Sequence, residues 1–415
     1  MDDKHWDIVV IGAGAAGLLA AIAAAEESRR TLLLEKNKKP GVKILMSGGT
    51  RCNITHATDN RGIVEAYGPP GRFLHSPLAA LTVEQTIAIF EAEGVATKVE
   101  ETGKIFPVSN KAADVLDALL RRMHRSGATL SLGEPLLELQ CAEQGFTLRT
   151  SVRTITAGRV ILTTGGQSYP GSGTTGDGYH LAARFGHTIV PPRPALVPIT
   201  VAAPWVPELR GVTLPDVNLR VLNQQEVLAK RRGSLLFAHF GLSGPVALDV
   251  SRVISGHSRP QGLTLEIDFL PSVPDAEIDE FLKLESVASA KKQLVVVLSA
   301  RLPRRLCEVF LRITGFAVDR RAAALSRDDR TKLVAAVKRL KIPITGTLGF
   351  GKAEVTAGGV SLAEVDSRTM RSKLVPDLFI AGEVLDLDGP IGGYNFQAAF
   401  STGWLAGKSA ASPEA

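Results

Sequence analysis

The sequence has few cysteines, few aromatic residues and almost no long apolar run. Its 415 residues contain three cysteines, and aromatic residues make up 5% of the chain. Cys52, Cys141 and Cys307 form no Cys-x-x-Cys pair, which argues against a disulfide framework or a zinc site and predicts a protein of the reducing cytoplasm. Residues 8–25 form an uncharged run of membrane-span length, but three glycines with the spacing of a dinucleotide-binding fingerprint interrupt it. We therefore predict neither a transmembrane segment nor, from residues 2–4, a signal peptide.

The N-terminal segment has the order strand, glycine turn, helix, strand and acid. Residues 8–11 suit a buried parallel strand. Gly12 allows a tight turn, Gly14 allows the backbone to approach a pyrophosphate, and Gly17 allows close packing of a helix on the sheet. Glu35 follows Gly17 by eighteen residues and ends the second strand, where it could accept hydrogen bonds from a ribose. This spacing predicts an adenine dinucleotide site; the alternative is a helix–sheet contact without a ligand.

The remaining pattern predicts an α/β protein with inserted domains. Strands and helices alternate up to a proline-rich stretch, short strands follow, then helical periodicity, and finally a strand that ends in glycine. Residues 171–176 also fit Gly-x-Gly-x-x-Gly, but they follow Pro170 and no acid-ended strand comes after them, so we predict no separate nicotinamide domain. The predicted domains are a Rossmann-like domain over 1–192 and 373–415, a β-barrel domain over 193–270 and 342–372, and a basic helical domain over 271–341.

The positive charge of the chain is concentrated in one segment. The net charge is +6, and residues 287–341 contain 14 Lys and Arg but 4 Asp and Glu, or +10. The rest of the chain is therefore at −4. Either this segment is a solvated helical surface, or it is a patch for an anionic partner such as RNA.

Six motifs in chain order resemble those of one known family. They lie at residues 12–17, 43–53, 103–109, 164–170, 237–245 and 381–397. The chain is similar over nearly its whole length to the BaiN/RdsA-like family of FAD-dependent oxidoreductases, also called YhiN-like flavoproteins and partly described as aminoacetone oxidases. Thr50 stands where that family usually has a third glycine, which would alter loop flexibility near the flavin. Ser234 and Arg371 replace usual acids and leave the subfamily and the substrate open.

The resemblance implies a fold, a cofactor and a reaction class. The fold would be a two-dinucleotide-binding, Rossmann-like FAD domain with an inserted β-barrel domain and a helical domain. The activities of such families include reduction of activated carbon–carbon double bonds. One branch is similar to ribosomal RNA dihydrouridine synthases, another to bile-acid reductases, and other members are assigned amine oxidase activity.

The predicted cofactor site draws on all parts of the FAD domain. Arg51 could hold a phosphate or the N1–C2=O edge of the flavin, and the backbone of residues 392–393 would approach the same edge. Asn395 and Gln397 could fix that edge by hydrogen bonds, and Glu383 would face the ribityl–pyrophosphate region. The full predicted set is Gly12, Ala13, Gly14, Ala16, Gly17, Glu35, Lys36, Lys43, Ser47, Gly48, Gly49, Arg51, Cys52, Asn53, Thr164, Gly165, Gly166, Gly382, Glu383, Gly392, Gly393, Tyr394, Asn395 and Gln397.

Reduction of a conjugated double bond needs a hydride from the flavin and a proton donor on the other carbon. Cys52, Tyr394 and His239 are the candidate donors. Cys52 beside Arg51 could have a lowered pKa, or it could be a buried packing residue. His239 could instead be a structural hydrogen-bonding residue and Tyr394 a flavin-packing residue.

The leading hypothesis is a cytoplasmic FAD enzyme that takes hydride from NAD(P)H and reduces an activated C=C bond. Uridine in ribosomal RNA is one candidate substrate and a small enone another, with residues 287–341 contacting the RNA. The alternatives are a flavin-dependent amine oxidase and a non-catalytic flavoprotein that binds RNA or the ribosome. We predict noncovalent FAD, no membrane partner and no bound metal; the sequence indicates no oligomeric state.

Overall fold

The computed structural model describes residues 5–323 and 325–413, which divide into two compact units. The first comprises the described residues up to Pro194 and from Glu354, and the second comprises those in Ala195–Ala353. The strands are β1 His5–Ile11, β2 Thr31–Glu35, β3 Thr55–His56, β4 Thr97–Val99, β5 Lys104–Pro107, β6 Thr129–Leu132, β7 Leu136–Cys141, β8 Phe146–Thr150, β9 Thr154–Leu162, β10 Ile189–Ala195, β11 Ile199–Val201, β12 Thr213–Asn223, β13 Glu226–Ala238, β14 Gly241–Ser243, β15 Leu263–Asp268, β16 Leu340–Thr347, β17 Val355–Val360 and β18 Leu378–Ile380.

The helices alternate with these strands in the first unit and cluster at the end of the second. They are α1 Ala15–Glu26, α2 Val42–Thr50, α3 Asn60–Tyr67, α4 His75–Ala80, α5 Val83–Ala92, α6 Ala112–Ser126, α7 Asp177–Arg184, α8 Pro245–Ser255, α9 Asp275–Ala288, α10 Leu294–Leu298, α11 Arg304–Ile313, α12 Arg327–Lys338 and α13 Tyr394–Ala411.

A seven-stranded sheet organises the first unit. Its order is β6-β2-β1-β9; the first half of β9 then pairs with β8, which pairs with β7, and its second half pairs with β18. β1, β2, β6, β9 and β18 are parallel, so their carboxyl ends lie along one edge. β2 is buried along its whole length, as the continuous apolar run predicts. This parallel sheet confirms the Rossmann-like fold.

Small residues allow α1 and α13 to pack closely over this sheet. A Cβ on Gly403 would lie 2.2 Å from the carbonyl oxygen of Ala16, and one on Gly407 would lie 2.3 Å from that of Ala20. The helices therefore meet backbone to backbone. Residues 8–25, the apolar run of membrane-span length, form most of β1 and α1 and are largely buried.

The lengths and compositions of the helices show which of them could span a membrane. In the described parts of the chain, no single helix is long and apolar enough to cross a bilayer. One bent pair, Pro69–Ala80 with Val83–Ala92, reaches the required length and composition together. The core helix of a globular protein meets the same criteria, so this pair is weak evidence for a span.

The second unit is a closed six-stranded barrel with attached helices. The strand order is β11-β14-β13-β12-β15-β16, and β16 returns to pair with β11. Inward residues of the barrel and apolar residues of α9 to α12 form one hydrophobic core. Phe269 and Phe310, for example, meet edge to face with ring centroids 5.2 Å apart. The predicted helical domain at 271–341 therefore belongs to the same compact unit as the barrel.

The boundary after the barrel differs from the predicted one. Residues 342–372 were assigned to the barrel domain, but the second unit ends at Ala353. β17 is buried along its length and pairs with β10, and the amide of Val360 donates to the carbonyl of Val384 at 2.9 Å. The short β-branched and glycine-rich pattern of β17 suits a barrel strand as well as this pairing. The unit to which β17 belongs is therefore decided by contacts between residues that are distant in sequence, which the local pattern does not show.

Candidate dinucleotide site

The carboxyl edge of the parallel sheet brings together three of the predicted cofactor-binding segments. The amide of Gly12 donates to Leu34 at 2.8 Å, which joins the glycine turn to β2. The hydroxyl of Thr163 donates to the carbonyls of Ile11 and Gly12 at 2.9 and 3.0 Å. A Cβ on Gly382 would lie 2.7 Å from the Cβ of Ala16. The turns after β1, β9 and β18 therefore meet at the start of α1.

The three glycines of the first turn have different surroundings. Gly12 has φ +101°, and a Cβ on Gly17 would lie 1.8 Å from the carbonyl oxygen of Gly12. A Cβ on Gly14, in contrast, would meet nothing within 4 Å. α1 starts after Gly14 with no acidic residue in its first turn and no side-chain cap. The turn thus has open space beside the positive end of a helix, as the binding of an anionic pyrophosphate requires.

Glu35 fixes the shape of this turn. Its two carboxylate oxygens accept from the amides of Ala13 and Asn37, each at 2.8 Å, and the residue is 8% exposed. The neighbouring Lys36 forms an ion pair with Asp177 at 2.5 Å and donates to Thr175. Glu35 lies at the predicted place, and its role toward a ribose stays a prediction.

Two buried polar atoms at the predicted site have no hydrogen-bond partner within the described part of the chain. They are Asn53 Oδ1 and Thr164 Oγ1. A buried polar atom without a partner costs about 1–3 kcal/mol, and native proteins contain few of them. Both residues belong to the predicted cofactor set, so a polar ligand would remove this cost. These atoms and the open space at Gly14 together fit a dinucleotide such as FAD.

The second half of α2 is interrupted by a kink, and an unusual run of left-handed backbone extends from it into the following loop. Ser47 leaves helical geometry with ψ 151°, and Gly48 and Gly49 follow at φ 56° and 67°. Thr50 and Cys52 have φ 70° and 60°. The left-handed region suits glycine but is unfavourable for a β-branched threonine. Thr50, which replaces the third glycine of the family, therefore carries backbone strain.

Arg51 makes contacts within the protein, and its predicted contact with a phosphate or the flavin stays a prediction. Its guanidinium Nη1 donates to Glu100 Oε1 at 2.6 Å, and its Cζ lies 4.0 Å from the centre of the Phe106 ring. The sequence motif correctly places Arg51 in a glycine-rich loop, but it gives no sign of the carboxylate forty-nine residues later. The charge of Arg51 is thus compensated within the protein.

Asn395 and Gln397 also hydrogen-bond to other groups of the protein, and their predicted role at the flavin edge stays a prediction. Asn395 Nδ2 donates to the carbonyl of Gly389 at 3.0 Å, and its Oδ1 accepts from the Gly389 amide at 2.9 Å. Gln397 is fully buried. Its side-chain oxygen Oε1 accepts from Thr55 Oγ1 at 2.7 Å, and its side-chain nitrogen Nε2 donates to Thr86 Oγ1 at 2.9 Å. Both side chains therefore stabilise the protein around α13.

Tyr394 lies at the start of α13, beside a histidine that the sequence analysis did not select. The rings of His56 and Tyr394 stack with centroids 4.6 Å apart, and His56 Nδ1 donates to the carbonyl of Gly392 at 3.0 Å. Gly393 has φ 97°, and a Cβ there would lie 2.5 Å from the carbonyl oxygen of Thr55. His56 follows the 43–53 motif by three residues, and this proximity is the only sequence signal for it.

A polar cluster joins four segments of the first unit. Glu383 accepts from Lys43 Nζ at 2.6 Å, from Ser168 Oγ at 2.8 Å and from the Thr356 amide at 2.9 Å. Thr356 Oγ1 in turn accepts from the amides of Gln167 and Ser168. Lys43 and Glu383 were predicted, whereas Ser168 and Thr356 were missed because hydroxyl residues are too common in loops to stand out. The cluster holds Glu383 in a fixed orientation at the carboxyl edge.

The three candidate proton donors have different surroundings. Cys52 is fully buried, and burial raises the pKa of its thiol to about 12. Of the two alternatives for Cys52, this agrees with a buried packing residue and not with a lowered pKa. His239 is exposed in the turn between β13 and β14 of the second unit, where its ring contacts Phe240 edge to face. Cys52 and Tyr394 both lie in the first unit, and of these two Tyr394 is the one that is partly exposed.

Comparisons with known proteins agree with this architecture. A family model described as "HI0933-like protein Rossmann domain" matches residues 6–409. The chain is 35% identical to a ribosomal RNA dihydrouridine synthase of Escherichia coli, with 97% of each chain covered. It is 32% identical to a 3-dehydro-bile acid delta(4,6)-reductase of Clostridium scindens, with 97% of this chain and 98% of the relative covered. A Rhodococcus jostii 3-ketosteroid-delta4-(5alpha)-dehydrogenase structure shares the fold at 15% identity and a TM-score of 0.50, covering 99% of this chain and 97% of that one. The predicted family resemblance is confirmed.

Proposed function

Because the chain belongs to the HI0933-like Rossmann family, we propose that it is an FAD-dependent oxidoreductase that uses NAD(P)H to reduce a carbon–carbon double bond conjugated to a carbonyl. One observation carries this proposal: the chain covers 97% or more of two curated relatives whose names differ in substrate but agree in the bond that changes. Uridine and a 3-dehydro, delta(4,6) steroid both contain such a bond. The shared chemistry is therefore a better guide than either substrate.

The residues at the carboxyl edge suit FAD. When bound, FAD would supply hydride transfer. The turn at Gly14 and the start of α1 would receive the pyrophosphate, and Glu35 would hold the turn and face the ribose. Asn53 and Thr164 would give their unpartnered polar atoms to the ligand. The cluster around Glu383 would keep that carboxylate in place for the ribityl chain.

Tyr394 is our candidate for the proton that the second carbon needs. It stacks on His56 beside the glycine turn that precedes α13. A phenol hydroxyl can donate a proton during hydride transfer without being charged in the resting state. The fully buried thiol of Cys52 has no such access.

Ribosomal RNA is the favoured substrate class. Two curated relatives, at 35% and 32% identity and 97% coverage of this chain, are named ribosomal RNA dihydrouridine synthases. The excess of +10 in residues 287–341 is consistent with a polyanionic partner. However, eight of these fourteen cations already bind carboxylates or carbonyls of their own unit, namely Arg301, Arg304, Arg305, Arg312, Arg320, Arg330, Lys338 and Arg339. The net charge of residues 287–341 is therefore larger than the positive charge that these side chains leave available to a partner.

The two half-reactions can be measured separately. The FAD-loaded protein is mixed anaerobically with NADPH or NADH, and the flavin absorbance is followed. We expect rapid bleaching, then reoxidation by undermodified ribosomal RNA or a small enone, with dihydrouridine or the saturated product detected by mass spectrometry. Tyr394→Phe should bleach normally and reoxidise at least about 100-fold more slowly, as expected for loss of a general acid.

Other results would contradict parts of this proposal. If FAD is bound but neither nucleotide bleaches it, the NAD(P)H donor is wrong. Bleaching by an amine followed by rapid reaction with oxygen would favour the oxidase instead. If Tyr394→Phe reoxidises at the wild-type rate, Tyr394 is not the proton donor.

A further inference from the structure

The barrel surface contains a row of cations that the sequence does not show as a cluster. Register places Lys230 of β13 opposite Arg220 of β12, Arg220 opposite Glu266 of β15, and Glu266 opposite Lys341 of β16. The four side chains therefore form one row across four neighbouring strands. With adjacent strands about 4.8 Å apart, the row is about 14 Å long.

The charges in this row do not cancel. Arg220 Nη1 and Glu266 Oε1 are 3.1 Å apart, and the Glu266 side chain is 13% exposed, so this carboxylate is compensated by one cation. Lys230 and Lys341 are exposed and have no ion pair within the described chain. The adjacent Arg231 is also exposed, and its guanidinium donates to the carbonyl of Lys230.

The charged groups beside this row differ from it, and one of them, Lys338, belongs to α12 and not to a strand. Arg232 is paired with Asp216 at 2.7 Å, and Lys338 is paired with Asp268 at 2.8 Å. The exposed Glu226, at the start of β13, is the other carboxylate on the hairpin and lies four residues from Lys230. On β12, β13, β15 and β16, the exposed cations without a carboxylate partner in the described chain are therefore Lys230, Arg231 and Lys341.

We propose that this outer face of the barrel binds the phosphates of the RNA substrate; this rests on the proposed ribosomal RNA substrate. A row about 14 Å long with separated cations suits a chain of repeating negative charges better than a single phosphate. Two of the row's three cations lie at 220 and 230 and the third lies at 341, which explains why the count over 287–341 includes only one of them.

The test compares two variants of the FAD-loaded protein with equal loss of charge. The first is Lys230→Gln/Arg231→Gln/Lys341→Gln, which leaves the Arg220–Glu266 pair intact. The control is Arg61→Gln/Lys283→Gln/Arg368→Gln, whose exposed cations pair with nearby carboxylates. Binding of a fluorescein-labelled polyuridylate of about 20 nucleotides, longer than most single-stranded binding sites, is measured by anisotropy from low to moderate salt.

We expect the first variant to bind at least about tenfold more weakly and to lose about 2 from the slope of log affinity against log salt, because three phosphate contacts disappear. The control should bind as the wild type does. Equal weakening of both variants, or wild-type affinity in the first, would contradict the proposal that this face of the barrel binds the RNA.

NADPH bleaching and reduction of a small enone are measured on the same preparations. Their retention in the first variant would show an intact flavin site. If polyuridylate does not bind the wild type at all, both the surface and the RNA substrate are wrong. If RNA binding follows the expected pattern but no enone or RNA is reduced, the surface stands and the proposed activity fails.

Discussion

The glycine turn at 12–17 and the glycine segment at 389–397 belong to the same unit and both match family motifs, yet they behave differently. In the first, the backbone makes the predicted arrangement, with Gly17 against the Gly12 carbonyl and open space at Gly14. In the second, the side chains of Asn395 and Gln397 hydrogen-bond to other groups of the protein. A glycine in a tight contact has one steric reason to be there. A polar side chain can serve either the fold or a ligand, and the motif does not tell which.

The largest effect should separate two glycines of the first turn. Gly17→Ala places a Cβ 1.8 Å from the backbone oxygen of Gly12, so α1 must move. We expect a loss of about 3 kcal/mol or more in the free energy of unfolding, measured by denaturant titration of the flavin-free protein.

Gly14→Ala is the matched variant, since its Cβ meets nothing within 4 Å and its φ of −85° suits alanine. It should keep stability within about 1 kcal/mol, the usual cost of alanine at a helix N-cap. Its FAD dissociation constant, from flavin fluorescence, should rise at least about tenfold because the methyl group enters the space for the pyrophosphate. Equal stability losses, or unchanged FAD affinity in Gly14→Ala, would remove the distinction between fold and ligand glycines.

A second pair tests the polar residues. Gln397→Ala removes the acceptor of Thr55 Oγ1 and the side-chain donor to Thr86 and Ser401, which keep only their bonds to the carbonyls of Thr82 and Leu81. We therefore expect a loss of about 2–4 kcal/mol in the free energy of unfolding. The FAD dissociation constant of the folded variant should stay within about threefold of the wild-type value, since less than 1 kcal/mol of binding would change.

Asn53→Ala should give the opposite pattern. Asn53 Oδ1 has no partner in the described protein, so its removal should change the free energy of unfolding by less than about 1 kcal/mol. The FAD dissociation constant should rise about tenfold, as for one hydrogen bond to a ligand. A FAD defect in Gln397→Ala that equals that of Asn53→Ala would restore Gln397 to the cofactor site.

The sequence was informative where one local pattern decides the structure. The strand and glycine spacing predicted β1, α1 and the place of Glu35 because these features lie within thirty-five residues. It was not informative where partners are far apart, as for Arg51 with Glu100 and for Ser168 with Glu383. The pairing of β17 with β10, and the cation row on the barrel, likewise depend on register between distant strands. Such contacts leave no periodicity in the chain.

The smallest effect concerns Thr50, where this chain departs from the glycine of its family. Thr50→Gly would remove a β-branched residue from φ 70°, a strain of about 1–3 kcal/mol, at an entropic cost of about 0.5–1 kcal/mol. We expect a net gain of about 0.5–1 kcal/mol in the free energy of unfolding. Thr129→Gly, in the exposed strand β6, is the control and should lose about 1 kcal/mol. If both variants lose stability, Thr50 contributes contacts that outweigh its strain. If only Thr50→Gly gains, the left-handed backbone at residue 50 is a strain that this chain carries and that a glycine removes.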